Sequence, residues 1–184
     1  MARKTPVSTP ASPPTPWARW ARILRHRWCD ESDLGRALDP AALTRLQQRV
    51  AASELRHSGE IRLCVEAGLP LSYLWRHLTA RQRAVTMFGK LRVWDTEHNN
   101  GVLIYLLLAD HAIEIVADRG LARVVPQAHW EAVLGGMREA FRARRFEDGM
   151  AQAIDAVDAM LTRHFALAAG EANPNELPDT ADLR

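Results

Sequence analysis

The chain has 184 residues, enough for one domain with a substantial core and short tails, and its 47% hydrophobic and 25% charged content is ordinary for a globular protein. A net charge of +2 provides no global field for nucleic acid, although the basic residues are heavily skewed, 22 Arg against 2 Lys. Cys29 and Cys64 alone exclude a disulfide framework and a CxxC metal spacing, and the longest apolar run, Val102–Ala109, falls well short of the ~20 residues a membrane helix needs.

Residues 1–16 hold five of the ten prolines with Ser and Thr, and read as a disordered tail. Residues 17–36 read as a basic amphipathic helix and linker. At 100° per residue Trp17, Trp20, Ala21, Leu24 and Trp28 share one face, with Arg19, Arg22, Arg25 and His26 opposite. Six Lys and Arg and no acidic residue precede Asp30. Either the tryptophans dock on the protein's own core, or they face an anionic membrane surface or a membrane protein.

The main domain is expected over residues 37–168. Asp39-Pro40 reads as an N-cap with Pro at the first helical position, and Leu43, Leu46 and Val50 mark the helix it opens. Glu60–Ala67 alternates as a strand, and a short helix follows Gly68 and Pro70. Thr79-x-x-Gln82 is a capping box opening a helix to about Lys90, with Ala84, Val85 and Phe88 expected inward. Leu91 and Val93 suggest a short strand.

Val102–Ala109 and Ala112–Ala117, joined at Asp110-His111, predict a β-hairpin. Pro126 then opens a helix to about Arg144, with a stripe of Trp130, Val133, Leu134, Met137 and Phe141. A second helix, Phe146 to Ala168, carries Met150, Ile154, Val157, Leu161 and Phe165. Residues 169–184 read as a disordered acidic tail. Val102–Leu108 is apolar on both faces, so helices should cover both sides of the sheet. The expected fold is α/β, a three-layer α/β/α sandwich with a small mixed sheet containing a central β-hairpin.

Antiparallel pairing brings the polar residues before the first hairpin strand beside those after the second. Asp95, Glu97, Asn99 and Asn100 thereby meet Asp118 and Arg119 at one edge of the sheet. Oxygen-bearing side chains suit hard cations, so Asp95, Asn99 and Asp118 are candidate ligands for Ca²⁺ or Mg²⁺. Asn100, Gly101 and Arg119 are the candidate ligand-binding group, with Arg119 suited to a phosphate. The competing reading is turn chemistry, because Asn and Asp cap helices and tolerate left-handed backbone. Glu54 and His57 can meet on one helix face, but His57 is expected at a helix end, and the other histidines share no ligand spacing. No Gly-rich phosphate loop or nucleophile elbow occurs.

The blocks Asn100-Gly101-Val102-Leu103-Ile104-Tyr105 and Glu114-Ile115-Val116-Ala117-Asp118-Arg119-Gly120 resemble the TPM-domain family. A weaker echo lies in Ser53-Glu54-Leu55-Arg56-His57-Ser58-Gly59-Glu60-Ile61, and the resemblance spans roughly residues 40–168. The family includes a thylakoid-lumen acid phosphatase and membrane-anchored bacterial proteins. The resemblance therefore implies the three-layer fold and a phosphatase-like or partner-binding role. Two departures stand out. Typical members have Asp-Asn-Gly where this chain has Asn99-Asn100-Gly101, and many carry a signal or anchor. No apolar signal core is visible here, so a cytoplasmic protein, peripheral to the inner membrane if Trp17–Trp28 bind there, is expected. The favoured function is a non-catalytic binding or assembly module working with a membrane complex. The alternative is a divalent-metal-dependent, acid-phosphatase-like hydrolase. No organic cofactor and no nucleic-acid partner are expected.

Overall fold

The computed structural model describes residues 16–168 and 170–184, so the expected proline-rich tail lies almost wholly outside the described residues. In chain order the elements are α1 (Pro16–Trp28), α2 (Glu31–Ala37), α3 (Pro40–Glu54), β1 (Ile61–Glu66), α4 (Leu71–Trp75), α5 (Ala80–Lys90), β2 (Val102–Leu107) and β3 (Ala112–Ala117). These are followed by α6 (Arg119–Val124), α7 (Gln127–Arg142), α8 (Phe146–His164) and β4 (Asp182–Leu183). The sheet runs β3-β2-β1-β4, with β1 parallel to β2 and β4, and β2 antiparallel to β3. The hairpin thus contributes one inner strand and one edge.

Every residue of β2 is buried, because helices cover both faces of the sheet. Ile61, Leu63, Val65, Val102, Ile104, Leu106, Ile113 and Ile115 face a core closed by α2, α3, α7 and α8. Cys64, Leu103, Tyr105, Leu107 and Val116 face a smaller core under α4 and α5. The α8 stripe is buried as its period requires: Met150, Ile154, Val157 and Leu161 are solvent-free. Each such side chain contributes about 1.5–3 kcal/mol of burial. Asp39 caps α3 through the Ala42 N–H at 2.6 Å, and Thr79 with Gln82 forms the capping box of α5.

Five local expectations are corrected. Residues 31–37 are helical rather than linker, because Asp30 and Asp33 cap each other across the first turn of α2. Leu91 and Val93 lie in a turn, not a strand: Arg92 is left-handed (φ 55°) and the Val93 N–H returns to the Phe88 carbonyl at 3.1 Å. Within α5, Val85 is exposed and Phe88 only partly buried, while Arg83 and Met87 point inward. The reason is charge, since the Arg83 guanidinium meets the buried Glu66 carboxylate through both oxygens, with Nε at 2.8 Å. Tyr105 donates its hydroxyl to the same carboxylate at 2.6 Å.

The C-terminal segment is not a disordered tail. Asn173 donates to the His57 carbonyl at 3.1 Å, Leu177 is buried, and β4 pairs with Cys64 and Val65 of β1. These contacts reach more than a hundred residues back along the chain, so a polar local composition concealed them.

The fifth correction concerns α1. The helix is amphipathic as expected, but it docks by its polar face. His26 is buried, and its Nδ1 accepts the Leu69 N–H at 3.0 Å. That bond fixes the ring proton on Nε2, which donates to Asp110 at 3.1 Å. Arg22 (3.0 Å) and Arg25 hold the other side of the same carboxylate. Burial pushes the Asp110 carboxyl up, but hydrogen bonds from His26 and Arg22 and the charge of Arg22 outweigh it and hold the group well below the ordinary range. Trp17, Trp20, Leu24 and Trp28 are left exposed. The tryptophans therefore do not dock on the core.

Candidate functional site at the open end of the hairpin

The end of the sheet opposite Asp110 is where β1 and β2 begin and β3 ends. Close packing of backbone builds it. A Cβ on Gly101 would meet the Val93 carbonyl oxygen at 2.0 Å, and one on Gly120 would meet the carbonyls of Asn99 and His98 at 2.5 and 2.6 Å. Only glycine at both positions lets the loop before β2 press against the start of α6. The Asp118 N–H donates to the Gly101 carbonyl and the Gly120 N–H to the Asn99 carbonyl, at 2.9 and 2.8 Å.

The sequence candidates separate into two groups there. Asn100 and Asp118 are buried, at 1% and 8% exposure. Asn100 donates its backbone N–H to Thr96 Oγ1 at 3.2 Å and its side-chain amide to Ser58 Oγ at 3.2 Å. Asp118 is the N-cap of α6, with Oδ1 accepting the Arg119 N–H at 2.6 Å. One oxygen of each remains without a partner among the described residues: Asn100 Oδ1 and Asp118 Oδ2. Asn99 is left-handed (φ 52°), and its Oδ1 accepts from Arg119 Nε at 2.9 Å. Arg119 lies 4.0 Å from Asp118, with its side chain 69% exposed.

Asp95 is not brought into this group. Its carboxylate is exposed and pairs with Arg92 at 2.5 Å. Glu97 is exposed as well, and its backbone N–H reaches the Glu176 carboxylate at 3.1 Å. An open cleft of about 500 Å³, lined by Ser58, Glu97, His98, His164 and Glu176, lies alongside.

Sequence reasoning missed the acidic surroundings of this end. Glu54 and Glu60 are buried. Glu54 accepts the Ile61 N–H at 2.9 Å, and Glu60 accepts the Leu177 N–H at 3.3 Å while its Oε1 has no partner. Burial, reinforced by Glu60 and Asp179, pushes the Glu54 carboxyl up to about 8 against the opposing Ile61 bond. Burial likewise raises Glu60. No cation answers these groups in any ion pair among the described residues. A negatively charged side chain at the last residue of α3 and another just before β1 were visible in the sequence. Their convergence with residues 176–179 was not. His57 does not join Glu54: it is solvent-free, donates from Nδ1 to the Gly59 carbonyl at 3.0 Å, and sits 3.6 Å from Asp158.

A family model describing the TPM domain matches residues 32–160. The chain belongs to the TPM-domain family. The BA42 protein of the psychrophilic bacterium Bizionia argentinensis has a similar structure, with a TM-score of 0.69 and 24% identity over 80% of this chain and 95% of that one. The N-terminal domain of a protein from P. gingivalis aligns with a TM-score of 0.53 and 16% identity over 71% and 82% of the two chains. At these identities the likeness is one of fold. No functionally curated protein matches the sequence. Within this TPM domain the hairpin end is built by the two sequence blocks on which the resemblance rested. α1 lies outside the matched range.

Proposed function

We propose that this TPM domain is a non-catalytic binding module whose hairpin end takes a divalent cation, Ca²⁺ or Mg²⁺. The observation that supports it is the pair of buried, unpartnered oxygens, Asn100 Oδ1 and Asp118 Oδ2. A buried acceptor without a donor is costly, and a hard cation satisfies amide and carboxylate oxygens together. The fit sets a limit on affinity. Among the described residues no three His, Cys, Asp or Glu side chains converge as a metal-holding group, so the ion would rest on one carboxylate, one amide and water. A dissociation constant of roughly 10⁻⁴–10⁻³ M suits so little ligand charge. Asp95 and Asn99, expected as ligands from sequence, are engaged by Arg92 and Arg119 instead.

Amide NMR during Ca²⁺ and Mg²⁺ titration tests the reading. Saturable shifts at Asn99–Val102 and Asp118–Gly120, lost in Asp118→Asn, are expected. Unmoved resonances at millimolar metal would leave these residues as turn and cap chemistry. One observation favours the hydrolase reading: Arg119 is largely exposed, and among the described residues only its Nε is engaged, by Asn99 and, at 4.0 Å, by Asp118. Its remaining donors suit a phosphate oxygen. Metal-dependent turnover of an aryl phosphate that disappears in both Asp118→Asn and Arg119→Gln would replace the binding reading with the catalytic one.

A further inference from the structure

The exposed apolar surface of α1 and α4 is joined to an unusual charge distribution. The stretches 1–29 and 67–94 contain eleven of the chain's 24 Lys and Arg and none of its 22 Asp and Glu. The second stretch supplies α4 and α5, and α1 packs against α4. Trp20 and Trp75 meet edge to face with ring centroids 6.3 Å apart. Trp17 and Trp28 are 82% and 77% exposed at the two ends of α1, with Leu24 between them and Trp75 also more than half exposed. Arg19, Arg27 and Arg76 are exposed and enter no ion pair among the described residues.

We infer that this face is a docking surface for an anionic lipid bilayer, with the indoles entering the headgroup layer and the unpaired arginines meeting lipid phosphates. Three features carry the choice of partner. Tryptophan is amphipathic and settles at the boundary between hydrocarbon and water. An apolar stripe bordered by arginines matches a negatively charged plane: α1 and α4 carry no carboxylate, and Asp33, beside the Trp28 end, is paired with Arg36. α1 is also fixed in the required orientation, because Arg22, Arg25 and His26 on its other face grip Asp110. The docking of the helix therefore presents the tryptophans instead of hiding them. No helix among the described residues is long and apolar enough to cross a membrane, so the attachment is to the surface. The inference is independent of the cation site, which uses different residues at the other end of the sheet.

Vesicle flotation of the full chain tests it, using phosphatidylcholine vesicles with and without phosphatidylglycerol. Binding to the anionic vesicles only, weakened at high salt, is expected. Trp17→Ser, Trp20→Ser and Trp28→Ser together should lower partitioning at least about tenfold. Arg19→Gln and Arg27→Gln should each lower it about fivefold. All of these side chains are exposed, and an unchanged melting temperature verifies folding. The wild-type chain gives a second readout without any variant: a blue shift of tryptophan emission, quenched by brominated acyl chains. Equal binding to neutral and anionic vesicles, or binding untouched by the tryptophan substitutions, would overturn the inference. So would self-association that the tryptophan substitutions abolish while vesicles bind nothing, which would make the face a contact between two copies.

Discussion

The two ends of this small sheet bury carboxylates in opposite ways. At the end where β1 and β2 finish, each acid has its counter-charge: Glu66 is held by Arg83 and Tyr105, and Asp110 by Arg22, Arg25 and His26. At the end where those strands begin, Glu54, Glu60, Asn100 and Asp118 collect around the glycine-packed loop, and three of their oxygens have no donor. The first end is built for stability and for holding α1. The second leaves buried acceptor oxygens without donors, the condition on which the proposed cation site rests.

Removing a counter-charge from the compensated end should have the largest effect. Arg83→Leu strands Glu66 in an apolar core and should cost about 3–5 kcal/mol in urea unfolding. A loss within the range of a surface pair, below about 1 kcal/mol, would mean that the pair is not truly buried.

Glu54 sharpens the contrast from the other side. Its folded pKa is raised to about 8, so the folded state binds the proton more tightly than the unfolded one. Stability should therefore fall as pH rises from about 4.5 towards 8 and level off above. Glu54→Gln keeps an acceptor for the Ile61 N–H and removes that dependence, with a gain on the order of 4 kcal/mol at pH 8. Equal slopes of stability against pH in the two proteins would refute the assignment.

A smaller effect is expected at Asp110. Its pKa is depressed, so its contribution is complete above about 4 and is lost as pH falls below that value. Asp110→Asn should cost roughly 1–2 kcal/mol. It should also raise hydrogen exchange across α1 while leaving α8 protected. The smallest change in stability, under about 1 kcal/mol, is predicted for Asp118→Asn, since asparagine still caps α6.

What the sequence made legible was local. Period and capping located α3, β1, α5, the hairpin, α7 and α8, and the antiparallel pairing of the hairpin pointed to Asn100 and Asp118 as neighbours. The illegible features depend on partners distant along the chain. Asp110 lies 84 residues from His26, so nothing near α1 signalled that its polar face would be the docked one. Val85 and Phe88 were expected inward in place of Arg83 because Glu66, the partner that draws Arg83 in, lies 17 residues away on β1. The two-residue β4 is too short and too polar to announce itself without β1 beside it. Asp95 stands apart from Asn100 and Asp118 for the converse reason: Arg92, three residues back, pairs with it.

The central claim is that the two ends differ in their demand for a cation, and the most direct measurement is the shift in unfolding free energy with Ca²⁺ for wild type, Asp118→Asn and Asp110→Asn. At tenfold excess over the dissociation constant, the wild type and Asp110→Asn should each gain about 1.4 kcal/mol, and Asp118→Asn nothing. Equal shifts in all three, or none in the wild type, would contradict the account.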